Sequence, residues 1–261
     1  MFTFQKISDY GTSTPAVART FAQGLDFLPW ICQSASERQA LTVILHEWQR
    51  QLLSCVEIRD NLRKDIAVAQ SDGVVFQHSK AASIPGISNL RSRVEGFFHS
   101  AKLAIDATGN LLGPSYQIHF GHKYHKICKW ADEQFGTTDQ FTVALYSWQP
   151  FVAKVVQMRN CIDHPKTEPG APLVVKDFSL EKTSSGELVL IEPSCALTGE
   201  DLWPILHVFD SCIDAIIRLG ENVLVGLLKK RKQKLPVQVE EIPEGERDPK
   251  NPKRFRIIFR P

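Results

Sequence analysis

Apolar residues recur every three or four positions along most of this chain, the period of a helix that buries one face. From Ser34 to about Gln70 the recurring set is Leu41, Ile44, Leu45, Trp48, Leu52, Cys55, Val56, Leu62 and Ile66. It predicts a long amphipathic helix with Ser34 or Ser36 as N-cap. The other face alternates in sign at Glu57, Arg59, Asp60, Arg63, Lys64 and Asp65, a pattern of solvated charges joined by weak ion pairs. Asp72-Gly73 and Pro85-Gly86 mark turns, and Leu90, Val94, Phe97, Phe98, Ala101, Leu103, Ala104 and Ile105 predict a second long helix ending near Gly109 or Gly113. A shorter helix is predicted from His122 to Phe135, with Gly136-Thr137-Thr138-Asp139 stopping it and capping the next. In that next helix Pro150 lacks an N–H and crowds the preceding turn, so it should kink or restart the run from Phe141 to Ile162.

Residues 173–192 change period. Lys176, Phe178, Leu180 and Lys182 alternate with Asp177, Ser179 and Glu181, and Thr183-Ser184-Ser185-Gly186 precedes an apolar run from Leu188 to Ile191. This predicts a β-hairpin. Thr198 with Asp201 has the form of a capping box, and the apolar stripe from Leu202 to Leu228 predicts a final long helix that ends in Lys229-Lys230-Arg231-Lys232. Beyond it, Val237–Val239 and Phe255–Phe259 flank a polar loop and read as a second, small hairpin in a proline-rich tail. The fold class expected is mainly α: a helical bundle over residues 1–230 with an inserted β-hairpin, then a short basic β-like C-terminal tail over residues 231–261.

With 261 residues, 43% hydrophobic and 23% charged, the chain can bury a sizeable core. The start lacks a basic region followed by an apolar run, and Asp210, Asp214, Arg218 and Glu221 interrupt the last apolar stripe, so neither a signal peptide nor a membrane span is expected. Six cysteines stand far apart without a Cys-x-x-Cys pair, which favours reduced, buried thiols and a cytoplasmic location. Net charge is +2, but residues 229–261 hold 11 Lys/Arg against 5 Asp/Glu, leaving 20 against 24 for the rest. Such a basic end either neutralises phosphates, as in RNA binding through Lys229, Lys230, Arg231 and Lys232, or forms solvated cations favoured by a helix C-terminus.

The chemistry concentrates at Arg159-Asn160-Cys161-Ile162-Asp163-His164, closed by Pro165 at the end of an apolar helix. Arg159 follows Val152 and Val155 by seven and four residues, so it borders the buried stripe and should not point freely into water. Asn160 and His164 share a face. Pro165 disfavours helical dihedrals at His164, which places an imidazole at a helix end where unpaired carbonyls favour its charged form. RNA carries its own nucleophile in the 2′-hydroxyl, so an imidazole to move protons and a guanidinium for the phosphate suffice for cleavage without a metal. Each residue also has an ordinary structural account: Arg159 on terminal carbonyls or an acid, Asn160 as a C-cap, His164 as a helix-end histidine. Asp163 either orients His164 or is solvated.

An Arg, a polar residue and, after a short gap, a His at the end of a helix resemble the motif of the HEPN superfamily, small helical-bundle domains many of which are metal-independent RNases. The order of helices over residues 34–230 is similar as well. The resemblance implies catalytic roles for Arg159, Asn160 and His164, no cofactor, and a homodimer in which two motifs line one cleft. It further implies RNA as substrate and a toxin or antiviral defence role under an inhibitory protein or antitoxin partner. The rival reading is a catalytically silent HEPN-like module that binds RNA, a nucleotide or a protein; a third is a purely structural scaffold.

His119, His122, His125 and Cys128 recur every three residues, and imidazoles with a thiolate are ligands for zinc. Successive steps of three residues drift around a helix, so at most His122 with His125 or His125 with Cys128 could share an ion, and no metal site is assigned. No Walker loop, dinucleotide-binding glycine pattern, His-Glu-x-x-His or nucleophile elbow occurs, which leaves NTPase, dehydrogenase, metalloprotease and esterase readings without residues.

Overall fold

Ser34 starts the longest helix by a reciprocal cap. Its hydroxyl accepts from the Glu37 N–H at 3.1 Å, and the Glu37 carboxylate accepts from the Gln33 N–H at 2.8 Å. The computed structural model describes residues 9–77, 81–163, 172–231 and 237–259. It is mainly α, 62% helix and 13% strand, with small antiparallel sheets. Helices α1 (Pro15–Val17) and α2 (Gln23–Ile31) are joined by a π-helical turn, Ala18–Ala22. They precede α3 (Ala35–Asp72), the strands β1 (Val75–Gln77) and β2 (Ala81–Ser83), and α4 (Leu90–Asn110). Then come α5 (Gly113–Tyr116), α6 (Tyr124–Phe135), α7 (Gln140–Ser147) and α8 (Gln149–Asp163). Strands β3 (Leu173–Lys176), β4 (Ser179–Lys182), β5 (Leu188–Ile191), β6 (Ser194–Leu197) and β7 (Trp203–Pro204) lead into α9 (Ile205–Arg231), and β8 (Val237–Glu241) and β9 (Phe255–Phe259) close the chain.

Several boundaries follow from local chemistry. Gly136, at φ +89°, ends α6, and the Asp139 side chain accepts from the Phe141 N–H to begin α7. Pro150 restarts the helix rather than kinking it, since α7 stops at Ser147 and α8 begins at Gln149. The hairpin runs further than its alternation suggested: β4 pairs with β5 and β3 with β6 in one continuous register, Leu180 opposite Leu190 and Val175 opposite Cys195. The ladder is interrupted only around Asp177-Phe178 and Glu192-Pro193, where proline has no N–H to donate. Thr198 does not cap α9. Its hydroxyl donates instead to the Pro172 carbonyl, Trp203–Pro204 pairs with Ser194–Cys195, and the helix starts at Ile205. The helical stretch 15–31 and the β1–β2 pair carry no signal that the apolar pattern revealed.

The chain divides into two compact units, one drawn from residues 1–53, 103–152 and 214–261, the other from 54–102 and 153–213. In the first, Trp48, Phe27 and Leu45 are fully buried, and Gly220 lies against Trp48 so closely that a Cβ would come within 2.1 Å of its ring. Gly226 meets Phe141 in the same way, at 2.2 Å. The C-terminal strands belong to this unit: the buried Gln23 side chain accepts from the N–H groups of Arg254 and Phe255, both at 2.8 Å. Glu221, wholly buried on α9, receives two bonds from Arg19 at 2.9 and 2.7 Å and one from Arg254 at 3.4 Å. In the second unit, Phe97 stacks on Phe209 with ring centres 3.6 Å apart, and Phe98 meets both edge-on. Arg59 and Arg63 on the charged face of α3 both bond Asp210 of α9, at 2.5 and 2.8 Å, and Arg59 is only 18% exposed. That face is therefore partly a packed contact and not simply a solvated one.

These contacts differ greatly in worth. An exposed pair such as Arg50 with Glu47 contributes about 0–1 kcal/mol. Removing one member of a buried pair leaves an unmatched charge and costs about 3–5 kcal/mol. Glu221→Gln is accordingly expected to lower the urea unfolding free energy by about 3–5 kcal/mol. Gly226→Ala should cost about 1–3 kcal/mol through overpacking, and Arg50→Ala less than about 1 kcal/mol. Equal midpoints for all three would contradict this ranking.

Candidate functional site

Helix α8 places the predicted motif. Val152, Val155, Met158 and Cys161 form its buried stripe, and Arg159 and Asn160 lie beside it, each half-buried. An Nη1–H of Arg159 donates to the Asn160 Oδ1 at 3.3 Å, so the guanidinium and the amide form one polar cluster in the last turn or so of the helix, which ends at Asp163. His164 follows directly in the chain and lies outside the described residues. Near the start of the same helix Lys154 pairs with Glu200 in the loop after β6. A guanidinium presents several N–H donors in a fixed planar fork, the geometry that suits bidentate contact with a phosphate.

The basic run at the end of α9 is less free than its sequence suggested. Arg231 donates to both Glu37 oxygens, at 2.9 and 3.1 Å, and its guanidinium lies 5.8 Å from the Tyr116 ring centre. Glu37 also accepts from the Ser115 hydroxyl at 2.7 Å, so the carboxylate that caps α3 binds Arg231 as well. Lys230 donates to Asp139 at 2.5 Å and sits 4.7 Å from the Phe135 ring centre. Lys229 and Lys230 border a cleft of about 320 Å³ whose other walls include Gln140, Phe141, Asn222 and Gly226. Lys232 lies outside the described residues. Asp139 thus does two jobs, cap and counter-ion, where only the cap was legible in the sequence.

The hydrogen bond from Lys230, with a smaller contribution from the Phe141 N–H, holds the Asp139 carboxyl below its ordinary value against a small desolvation that raises it. A carboxylate depressed in the folded state adds stability above its unfolded pKa, and loses it as pH falls through the lower folded value. Lys230→Met should bring the Asp139 titration back toward the usual carboxylate range in a carbon-detected NMR titration; an unchanged titration would show that Lys230 does not set it.

The histidines and Cys128 do not converge. His122 is exposed with its Nδ1 2.6 Å from Asp106, His125 is exposed, and Cys128 is buried. Among the described residues no three His, Cys, Asp or Glu side chains are grouped to hold a metal ion. Burial pushes the thiols of Cys32 and Cys128 up to about 11 and those of Cys195 and Cys212 up to about 12. Since thiolate is the reactive form, these cysteines should react with Ellman's reagent at pH 8 roughly a hundredfold more slowly in the native protein than in denaturant. Rapid labelling of Cys195 or Cys212 in the folded state would contradict that.

Compared with models of protein families, with curated proteins and with solved structures, the chain finds no match in any of the three. Among the described residues no helix is long and apolar enough to cross a membrane.

Proposed function

We propose that this chain is a metal-independent endoribonuclease of HEPN type. In this reading its helices form a bundle, two copies bring their motifs to one cleft, and the homodimer works in a reducing cytoplasm without a cofactor. The observation that carries the reading is the pre-set contact of Arg159 with Asn160 at the end of α8, immediately before His164 and Pro165 in the chain. One His164 imidazole takes the proton of the 2′-hydroxyl, whose oxygen attacks phosphorus. The bond to the 5′-oxygen breaks, and a protonated His164 of the second copy supplies that oxygen with a proton. Arg159 binds the phosphate oxygens and offsets the added charge, and Asn160 holds the guanidinium in place. The products are a 2′,3′-cyclic phosphate and a 5′-hydroxyl, with proton count conserved. Lys229 and Lys232 would meet backbone phosphates, joined by Lys230 and Arg231 to the extent that Asp139 and Glu37 release them. A toxin or antiviral defence role, restrained by an inhibitory protein or antitoxin partner, fits an enzyme with so few requirements.

A second reading has its own support. Because Lys230 and Arg231 are engaged within the chain, a catalytically silent HEPN-like module that binds RNA, a nucleotide or a protein partner is favoured if the basic run serves packing first.

Labelled single-stranded RNA incubated with the protein in excess chelator separates the two. The enzyme reading expects cleavage to 2′,3′-cyclic ends, reduced about 10²–10⁴-fold in His164→Ala and about 10²–10³-fold in Arg159→Ala, with both variants still folded. RNA bound but uncut by the wild-type homodimer supports the silent module in its RNA-binding form, and a protein that is monomeric and inert toward RNA rules out the enzyme.

A further inference from the structure

The arm formed by β4 and β5 is a two-stranded ribbon with its tip, residues 181–189, exposed on both faces. Such a ribbon is only marginally stable without a third strand. Its turn fixes which backbone groups face outward. The Thr183 N–H donates to the Glu187 carbonyl at 2.8 Å, and Gly186, at φ +86°, closes the turn onto the Thr183 carbonyl at 2.9 Å. Thr183 and Glu187 are therefore a hydrogen-bonded pair, and alternation along an antiparallel ladder makes Glu181 with Val189 and Ser179 with Ile191 the next two. Leu188 and Leu190 fall between them, so their N–H and C=O groups point away from β4.

The two edges of this ribbon are not alike. Edges are commonly protected by charged residues, lysine above all, and β4 carries Glu181 and Lys182. β5 is Leu-Val-Leu-Ile, with Leu188 51% and Val189 39% exposed. Among the described residues no strand pairs with its outer side. Further along the same side of the ribbon the fold does add a strand: β7 pairs with β6, and the Ile205 N–H donates to the Pro193 carbonyl at 3.0 Å before the chain turns into α9. The β5 edge continues where β7 leaves. Charge narrows what completes it. Residues 179–192 hold three carboxylates, Glu181, Glu187 and Glu192, against one ammonium, Lys182, and two of the acids flank β5 at its ends. A second copy would double that negative charge, and RNA would be repelled by it.

The geometry points to β5 as a docking edge for an extended strand of a partner protein, apolar in its middle and basic at both ends. The partner's backbone bonds Leu188 and Leu190, its side chains cover Leu188 and Val189, and its terminal Lys or Arg residues meet Glu187 and Glu192. This site stands whether or not the chain cleaves RNA.

The test uses the full ¹⁵N-labelled chain and two synthetic peptides with the same Val-Thr-Val-Thr centre, one ending in Lys-Arg pairs and one in Glu pairs. Binding of the basic-ended peptide should slow amide exchange at Leu188 and Leu190 and be at least tenfold tighter than that of the acidic-ended one. Glu187→Lys with Glu192→Lys should reverse the preference without touching the backbone. Leu190→Pro should abolish binding while Val189 and Ile191 remain protected, which verifies that the β4–β5 ladder survives. The proposal is overturned by no binding at millimolar peptide, by equal affinity for the two peptides, by shifts confined to other residues, or by a dimer of the chain that Leu190→Pro dissociates.

Discussion

A carboxylate removed from water on α9 organises the first unit. Glu221 is fully buried, and the cost of desolvating it is offset because Arg19 reaches it with two bonds, Arg254 with a third and the Gln23 amide with a fourth. Arg19 comes from the helical segment before α2 and Arg254 from just before β9, so one charge ties both of these segments to the last helix. Gln23 completes the arrangement by accepting two N–H groups at the start of β9 that would otherwise be unpaired. The π-helical turn lies at Arg19 and Thr20, and wider turns of this kind interrupt helices where side chains must be re-aimed.

The same economy recurs at Glu37, which caps α3, binds Arg231 and accepts from Ser115. Each such acid replaces water with several donors at once, and each draws a nearby cation away from solvent. This bears on function. A run of four basic residues suggests a phosphate-binding patch, yet the two whose partners are described are matched by acids nearly a hundred residues or more away in sequence. On α8, the guanidinium of Arg159 donates to the side-chain oxygen of its neighbour Asn160.

Much of the helical framework was legible in the residues themselves. Ser34 caps α3, Gly136 and Asp139 separate α6 from α7, Pro150 restarts α8, and Thr183 to Gly186 turn the hairpin. All of these act over a few residues through side-chain-to-backbone bonds or restricted dihedrals, so the information is local. The half-buried position of Arg159 was equally legible, from its spacing to Val152 and Val155. The start of α9 was not: Thr198 and Asp201 have the form of a cap, but pairing of Trp203–Pro204 with β6 and of Thr198 with Pro172 holds the segment extended until Ile205.

What the sequence determined by itself, then, is most of the long helices, their apolar faces, the hairpin turn and the half-buried setting of Arg159. Tertiary structure alone decided which charges would be buried and matched. Arg19 finds Glu221 across 202 residues and Arg231 finds Glu37 across 194, separations at which periodicity carries no signal. The reason is physical: a helix face is fixed by the 3.6-residue repeat of its own chain, whereas the partner of a buried charge is fixed by whichever distant element the apolar packing brings beside it.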